Sequence, residues 1–182
     1  MTSPGNESEL LARVVSGDRE AFDAVMRVHE SRVFSVCLRI LGDRELALDA
    51  TQDTFLTVFR KAGQFQGRSA VGTWIYRIAV NTCYDQIRRA ARRRLEPIPD
   101  HTDPSDPGAE DLIESAALRP EIERALAQLA PEFRNAVILA DLEGLPLPEV
   151  AEVLGVPVGT VKSRVFRGRR LLARYLGNQS GR

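Results

Sequence analysis

Residues 144–172, GLPLPEVAEVLGVPVGTVKSRVFRGRRLL, constrain the fold more than any other stretch, because they specify two helices joined by a tight turn. Pro148 stands where a helix starts without losing a hydrogen bond, and Gly155 where the turn needs positive φ. Val150, Ala151 and Leu154 give the first helix a short apolar face. Val158, Val161, Val165, Gly168 and Leu172 recur at steps of three and four, the stripe of a second helix. The opposite face carries Ser163, Phe166, Arg167 and Arg170, with Thr160 near its edge and Lys162 on its flank. From Lys162 to Arg174 there are six basic residues and no acidic one, a phosphate-facing composition. A basic helical hairpin is often just a solvated surface. Here Ala151 precedes Gly155 by four residues and Val161 follows it by six, which fits the close crossing of a helix-turn-helix. The second helix then reads base edges in the major groove.

No strand-like alternation of β-branched residues persists elsewhere, and aromatic residues make up only 6%, so the expected fold class is all-α. A hydrophobic fraction of 43% suffices for packed cores and excludes a disordered chain. The formal net charge of zero hides strong segregation. Residues 60–94 hold nine Arg or Lys against one acid, Asp85; residues 95–118 hold seven acids and no Lys or Arg; residues 162–182 carry only basic charge. Two basic segments flanking an acidic one imply two DNA-contacting modules and a connector kept off the duplex. Cys37 and Cys83 are far apart in helical patterns and the chain has two histidines, so buried thiols are expected, with no metal site and no cofactor. The start, MTSPGNESELL, lacks a signal-peptide pattern, and no segment approaches the ~20 apolar residues of a membrane span. A cytoplasmic protein without membrane insertion is expected.

Five segments follow. Residues 1–17 form a flexible arm. A first helical domain occupies 18–94, with one helix from Glu20 to Leu41 ending at Gly42. A second is capped by Asp43 and carries Leu46, Leu48, Phe55, Leu56, Val58 and Phe59 as its apolar set. A loop over 64–69 leads to a third helix from about Ala70 to Arg94. Residues 95–120 contain five prolines and the acidic block, a flexible linker. Fully extended it reaches about 85 Å at roughly 3.3 Å per residue, enough for about two turns of B-DNA. A second helical domain spans 121–176, with one helix to Leu129 and another opened by Pro131 before the helix-turn-helix; residues 177–182 are a tail.

The helix from Ala70 carries a second constellation. With Ile75, Ile78, Ala79 and Thr82 packed, the opposite side presents Arg77, Asn81, Tyr84 and Arg88, with Trp74 at its margin. Phe65 and Arg68 lie in the preceding loop. Interleaved aromatic, amide and cationic groups suit single-stranded DNA, since rings stack on unpaired bases and arginine holds phosphate. Trp74 is equally well read as a core residue. On the preceding helix, Asp49 and Asp53 lie one turn apart beside Gln52 and Leu56. Without a neighbouring histidine, a phosphate loop or a third ligand, the pair supports neither catalysis nor a metal. It is either a solvated face or the acidic rim of a docking site for a basic partner.

The strings DATQDTFLTVFRKAGQF, TWIYRIAVNTCYDQIRR and LPLPEVAEVLGVPVGTVKSRVFRGRRLL resemble, in order and spacing, the bacterial sigma-70 family. In particular they resemble its extracytoplasmic function (ECF) sigma factors. That resemblance implies two helical domains, sigma2 and sigma4, joined by a flexible acidic linker that threads into the polymerase cleft. It places Asp49, Gln52, Asp53, Phe55 and Leu56 against the β′ clamp helices of core RNA polymerase, with the β flap as a further contact. It assigns Phe65, Gly67, Arg68, Ser69, Trp74, Arg77, Asn81, Tyr84 and Arg88 to opening and reading the −10 element. Thr160, Lys162, Ser163, Phe166, Arg167 and Arg170 fall to the −35 element. The implied partners are core RNA polymerase, promoter DNA and an anti-sigma factor. The implied mechanism is binding, with no catalytic residue and no enzyme activity. A stand-alone helix-turn-helix regulator is the alternative.

Overall fold

A computed structural model of the chain describes residues 4–95 and 120–177. Eight α-helices make up the described residues: α1 (Pro4–Val15), α2 (Arg19–Leu41), α3 (Arg44–Lys61), α4 (Val71–Leu95), α5 (Pro120–Ala127), α6 (Pro131–Val137), α7 (Leu147–Leu154) and α8 (Val158–Gly177). A 3-10 turn (Ala62–Gln64) follows α3 and a π-turn (Ile138–Leu142) follows α6. No strand occurs among the described residues. The linker expected over 95–120 lies, from 96 to 119, outside the described residues, as does the tail from 178.

The boundaries follow from capping. The Asp18 carboxylate accepts from the Ala21 amide at 3.1 Å and opens α2. That bond, aided by Arg13, holds the Asp18 carboxyl below its ordinary range. Gly42, at φ 70°, closes α2 by donating to the Leu38 carbonyl. Asp43 then accepts from the Leu46 amide at 2.9 Å to open α3.

Two expectations need correction. The arm over 1–17 is mostly helix: α1 buries Leu11 and Val14, and Glu7 bonds to His29 of α2 at 3.1 Å. Leu10, Leu11 and Val14 form a three-and-four stripe too short to stand alone but sufficient once α2 covers it. The apolar set of α3 is also different. Phe55 and Val58 are buried, whereas Leu46, Leu48, Leu56 and Phe59 are exposed. The packed stripe is Ala47, Ala50, Thr51, Thr54, Phe55 and Val58, the residues that share one helical face. The Thr51 and Thr54 hydroxyls donate to the carbonyls of Ala47 and Ala50, so small polar side chains sit in the core with their bonds made.

Helices α1–α4 form one body around Val25, Val33, Val36, Val58, Ile75 and Val80. Cys37 of α2 and Cys83 of α4 are free, buried thiols there. Helices α5–α8 form the second. Arg134 of α6 ties its start together by donating to the carbonyls of Leu126, Ala127 and Leu129 at the end of α5. Desolvation lowers the pKa of that guanidinium. In α7 and α8, Val150, Ala151, Val161, Val165 and Gly168 are buried as expected; Val158 is exposed, and Val153 joins the buried set. Gly168 lets α8 approach α6: a Cβ there would lie 2.6 Å from Val137 Cγ2.

The two bodies pack on each other, α4 against α7 and the C-terminal half of α2 against α5 and α6. Charge segregation and the acidic connector carried no sign of this contact.

Candidate nucleic-acid interface

The face of α8 stands open. Lys162, Ser163, Phe166, Arg167 and Arg170 are exposed, Phe166 at 62%, and Thr160 is half-buried at their edge. The Arg170 guanidinium lies 5.8 Å from the Phe166 ring centroid, a cation–π contact that shapes this surface. Arg169, one step round the helix, is held away from it by a two-pronged pair with Asp141 at 2.9 and 2.5 Å. Among the described residues no ion pair engages Lys162 or Arg167, so both charges face outward. Gly155, at φ 64°, makes the turn that aims this helix, and its amide donates to the Ala151 carbonyl.

The face of α4 is assembled and covered. Trp74 is buried, with its ring 5.4 Å from that of Phe65 and tilted by 59°. The two rings adjoin a cavity of about 120 Å³ whose wall also includes Gln64, Gln66, Arg68, Ser69 and Arg77. Gly67 turns the loop above it at φ 65°. Asn81 continues the exposed line of α4. Arg88, further along, pairs with Asp85 within its own helix. The structure thus brings Phe65, Arg68, Ser69, Trp74 and Arg77 together, with Asn81, Tyr84 and Arg88 strung along the same helix. Trp74 is a core residue that also lines the cavity.

What covers α4 comes from the second body. Thr73 donates to the Glu149 carboxylate, and Tyr76 OH to Glu143 Oε2 at 2.9 Å. Arg77 Nη1 lies 3.8 Å from Glu152 Oε1, and Glu152 completes the wall of the small cavity. Arg39 of α2 reaches Glu143 at 3.3 Å, and Asn135 of α6 donates to Tyr84 OH at 2.6 Å. Burial first, then the Glu143 carboxylate, pushes the Tyr76 hydroxyl's pKa well above the ordinary tyrosine range. Thr73, Tyr76, Arg39, Glu143, Glu149 and Glu152 escaped the sequence reading. The only local signal was Glu149 and Glu152, three apart on the first helix of the hairpin. Glu143 owes its position to the π-turn, in which its amide donates to the Ile138 carbonyl at 3.0 Å.

A third surface lies on the far side of α3. Phe22 and Met26 of α2 and Leu48, Phe55, Leu56 and Phe59 of α3 line a groove of about 660 Å³. Asp23, Glu30, Asp49 and Gln52 contribute polar lining beside a single arginine, Arg19. Asp53 turns to a neighbouring groove of about 270 Å³, shared with Leu46, Asp49, Gln52 and Arg89. Four of the five residues assigned to polymerase therefore meet in the larger groove, and the fifth lies beside it. Leu48, Leu56 and Phe59, which lie off the packed stripe of α3, supply part of its apolar surface. No metal-binding cluster of His, Cys, Asp and Glu occurs among the described residues, and no described helix is long and apolar enough to cross a membrane.

Comparison with known proteins agrees with this geometry. Residues 25–93 match Sigma-70 region 2, and residues 119–172 match Sigma-70, region 4. The chain is 39% identical to the ECF RNA polymerase sigma factor SigE of Mycolicibacterium smegmatis, over 91% of its own length and 66% of that protein's. It is 40% identical to the ECF RNA polymerase sigma factor SigM of Mycobacterium tuberculosis, over 94% of this chain and 85% of the relative. Among solved structures it is similar to the sigma factor RpoE of Bartonella quintana, determined with the anti-sigma factor NepR. The TM-score there is 0.69 at 25% identity, covering 86% of this chain and 96% of the other.

Proposed function

The chain belongs to the ECF RNA polymerase sigma factors of the sigma-70 family, and we propose that it directs promoter-specific initiation through the three surfaces just described. The groove of α2 and α3 docks on core polymerase. Its apolar floor supplies the contact area, and Asp23, Glu30, Asp49 and Asp53 select a basic helical partner, the clamp helices of β′. Helix α8 takes the −35 element as intact duplex: Lys162 and Arg170 hold phosphate, Ser163 and Arg167 reach base edges, and Phe166 meets a thymine methyl. Helix α4 and the 64–69 loop take the −10 element as single strand. Phe65 and Trp74 provide stacking surface, Arg68, Arg77 and Arg88 hold the backbone, and Asn81 and Tyr84 bond exposed base edges. The protein contributes binding energy and strand capture; the polymerase performs the chemistry.

The domain limits that fit this reading are α2–α4 for sigma2 and α5–α8 for sigma4, with α1 as an added brace on sigma2. The observation that carries the proposal is the division of labour in space. An acidic-rimmed apolar groove, an aromatic–cationic helix and a basic helix with Lys162 and Arg167 exposed occupy three different faces of a chain whose halves match regions 2 and 4. An anti-sigma factor is proposed as a further partner, in line with the relative solved as such a complex.

The test is reconstitution. Purified chain added to core polymerase yields specific transcripts from a genomic promoter library, and core alone yields none. Failure to co-purify with core, together with no transcript that depends on the chain, refutes the proposal.

A further inference from the structure

Helix α8 carries no acid of its own between Lys162 and Arg174, yet Asp141 supplies it with a carboxylate from outside. Among the described residues, Arg169 is the α8 cation so engaged. Its Nε and Nη2 donate to Asp141 Oδ2 and Oδ1 at 2.9 and 2.5 Å. A single-point ion pair on a surface does little, but a guanidinium that meets both carboxylate oxygens is held in one geometry.

The backbone fixes both partners. Asp141 stands in the π-turn, whose exit is set by the Glu143 amide donating to the Ile138 carbonyl and the Leu145 amide to the Leu139 carbonyl, each at 3.0 Å. Gly168, the residue before Arg169, lets α8 lie so close to α6 that an added Cβ would stand 3.3 Å from the Phe133 carbonyl oxygen. Arg169 therefore leaves its helix within reach of the π-turn.

Its position also matters for DNA. Arg169 follows Lys162 by two turns along the same flank of α8 and adjoins Arg170. Its side chain is 62% exposed. An unpaired cation there would add to the phosphate contacts given to Lys162 and Arg170. Paired with Asp141 it brings no net charge. A swing towards phosphate would leave the Asp141 carboxylate bare beside the duplex, where it repels.

We propose that Asp141 is a restraining residue for duplex binding: it holds Arg169 off the DNA backbone and keeps the sequence-independent part of α8's affinity low. Stable engagement then depends on base contacts and on delivery by core polymerase. This rests on the reading of α8 as the duplex surface and adds what limits its affinity.

The experiment uses the full chain as wild type, Asp141→Asn and Asp141→Asn/Arg169→Gln, with folding checked by circular dichroism. Fluorescence anisotropy follows binding to a short duplex pool of random sequence across a salt series. One freed cation adds one phosphate contact, so Asp141→Asn should steepen the slope of log affinity against log salt by about 0.9. Its gain over wild type should then shrink by about 3.5-fold between about 50 and 200 mM salt. Loss of a merely structural tie would not produce that salt signature. The double variant should return to the wild-type slope, because it removes a pair that is already neutral. A wild-type slope for Asp141→Asn overturns the proposal. So does a gain that persists in the double variant, which would trace it to lost repulsion by Asp141 alone. Where the single variant folds poorly, the double variant decides by itself: a wild-type slope supports the proposal, and a slope shallower by about one contact shows that Arg169 already holds phosphate and overturns it. Unchanged slopes in a chain that initiates with core polymerase sink this inference alone, whereas absence of any chain-dependent transcript overturns the functional reading beneath it.

Discussion

Gly168→Ala tests whether the packing beneath the recognition helix is as tight as the structure indicates. The new methyl carbon would stand 2.6 Å from Val137 Cγ2 and 3.3 Å from the Phe133 carbonyl oxygen. Carbon atoms meet comfortably at about 3.5–4.0 Å, so the overlap is near 1 Å. Val137 is 2% exposed and β-branched, which leaves it essentially one helical rotamer and no room to turn aside. Overpacking of this kind costs about 1–3 kcal/mol, and the rigid neighbour argues for the upper half. Replacing glycine by alanine inside a helix returns about 1 kcal/mol. The net loss is about 1–2 kcal/mol, a fall in Tm of roughly 2–8 °C for a chain of this size. Thermal unfolding followed by circular dichroism measures it. Val137→Ala removes the obstructing methyl, so the double variant should recover at least about 0.5 kcal/mol relative to the sum of the singles. A rise in Tm for Gly168→Ala alone would refute the reasoning, since helix propensity would then outweigh a crowding that does not exist.

Arg167→Ala should weaken −35 recognition by about 1–3 kcal/mol, as for one base-edge contact, in footprints of the holoenzyme on its promoters; unchanged protection would misplace the reading face. Asn81→Ala should reduce open complex, scored by permanganate reactivity, more than closed complex; equal losses would deny it a strand-specific role. Asp53→Arg should impair capture of core polymerase while leaving duplex affinity of the free chain intact, and unaltered capture would leave the acidic groove as solvated surface. Tyr76 has a folded-state pKa raised above its ordinary 10.0. Its contribution to stability is therefore complete below that pH and declines as pH climbs toward the raised folded value. Tyr76→Phe should flatten the alkaline limb of stability against pH, and an identical slope in both proteins would contradict the assignment.

Legibility in the sequence tracked how local each cause was. The ends of α2 and α3 were readable because Gly42 and Asp43 act on their own helices, within four residues. The α8 face was readable because its stripe, Val161, Val165 and Gly168, fixes what faces away. The groove of α3 was misread because counting apolar residues ignores angle: Leu48 and Leu56 are apolar yet lie off the packed stripe, while Thr51 and Thr54 lie on it. The acidic pair beside those leucines, read by itself, left a solvated face and a docking rim equally open. Phe22 and Met26, which complete it from α2, carried no comparable signal.

The junction between the bodies was illegible for a different reason. A core made by burial leaves a periodic apolar record in the chain; a contact made by Arg39, Tyr76 and Glu143 leaves ordinary polar residues distant in sequence. Its energetics also differ. Removing one member of a buried, hydrogen-bonded charge pair costs several kcal/mol, yet an intact pair contributes little net stability over a hydrated, separated one. Such a junction fixes geometry sharply without binding strongly. Apolar residues at Tyr76, Asn135 and Glu143 would have given a more visible sequence and a chain far harder to open.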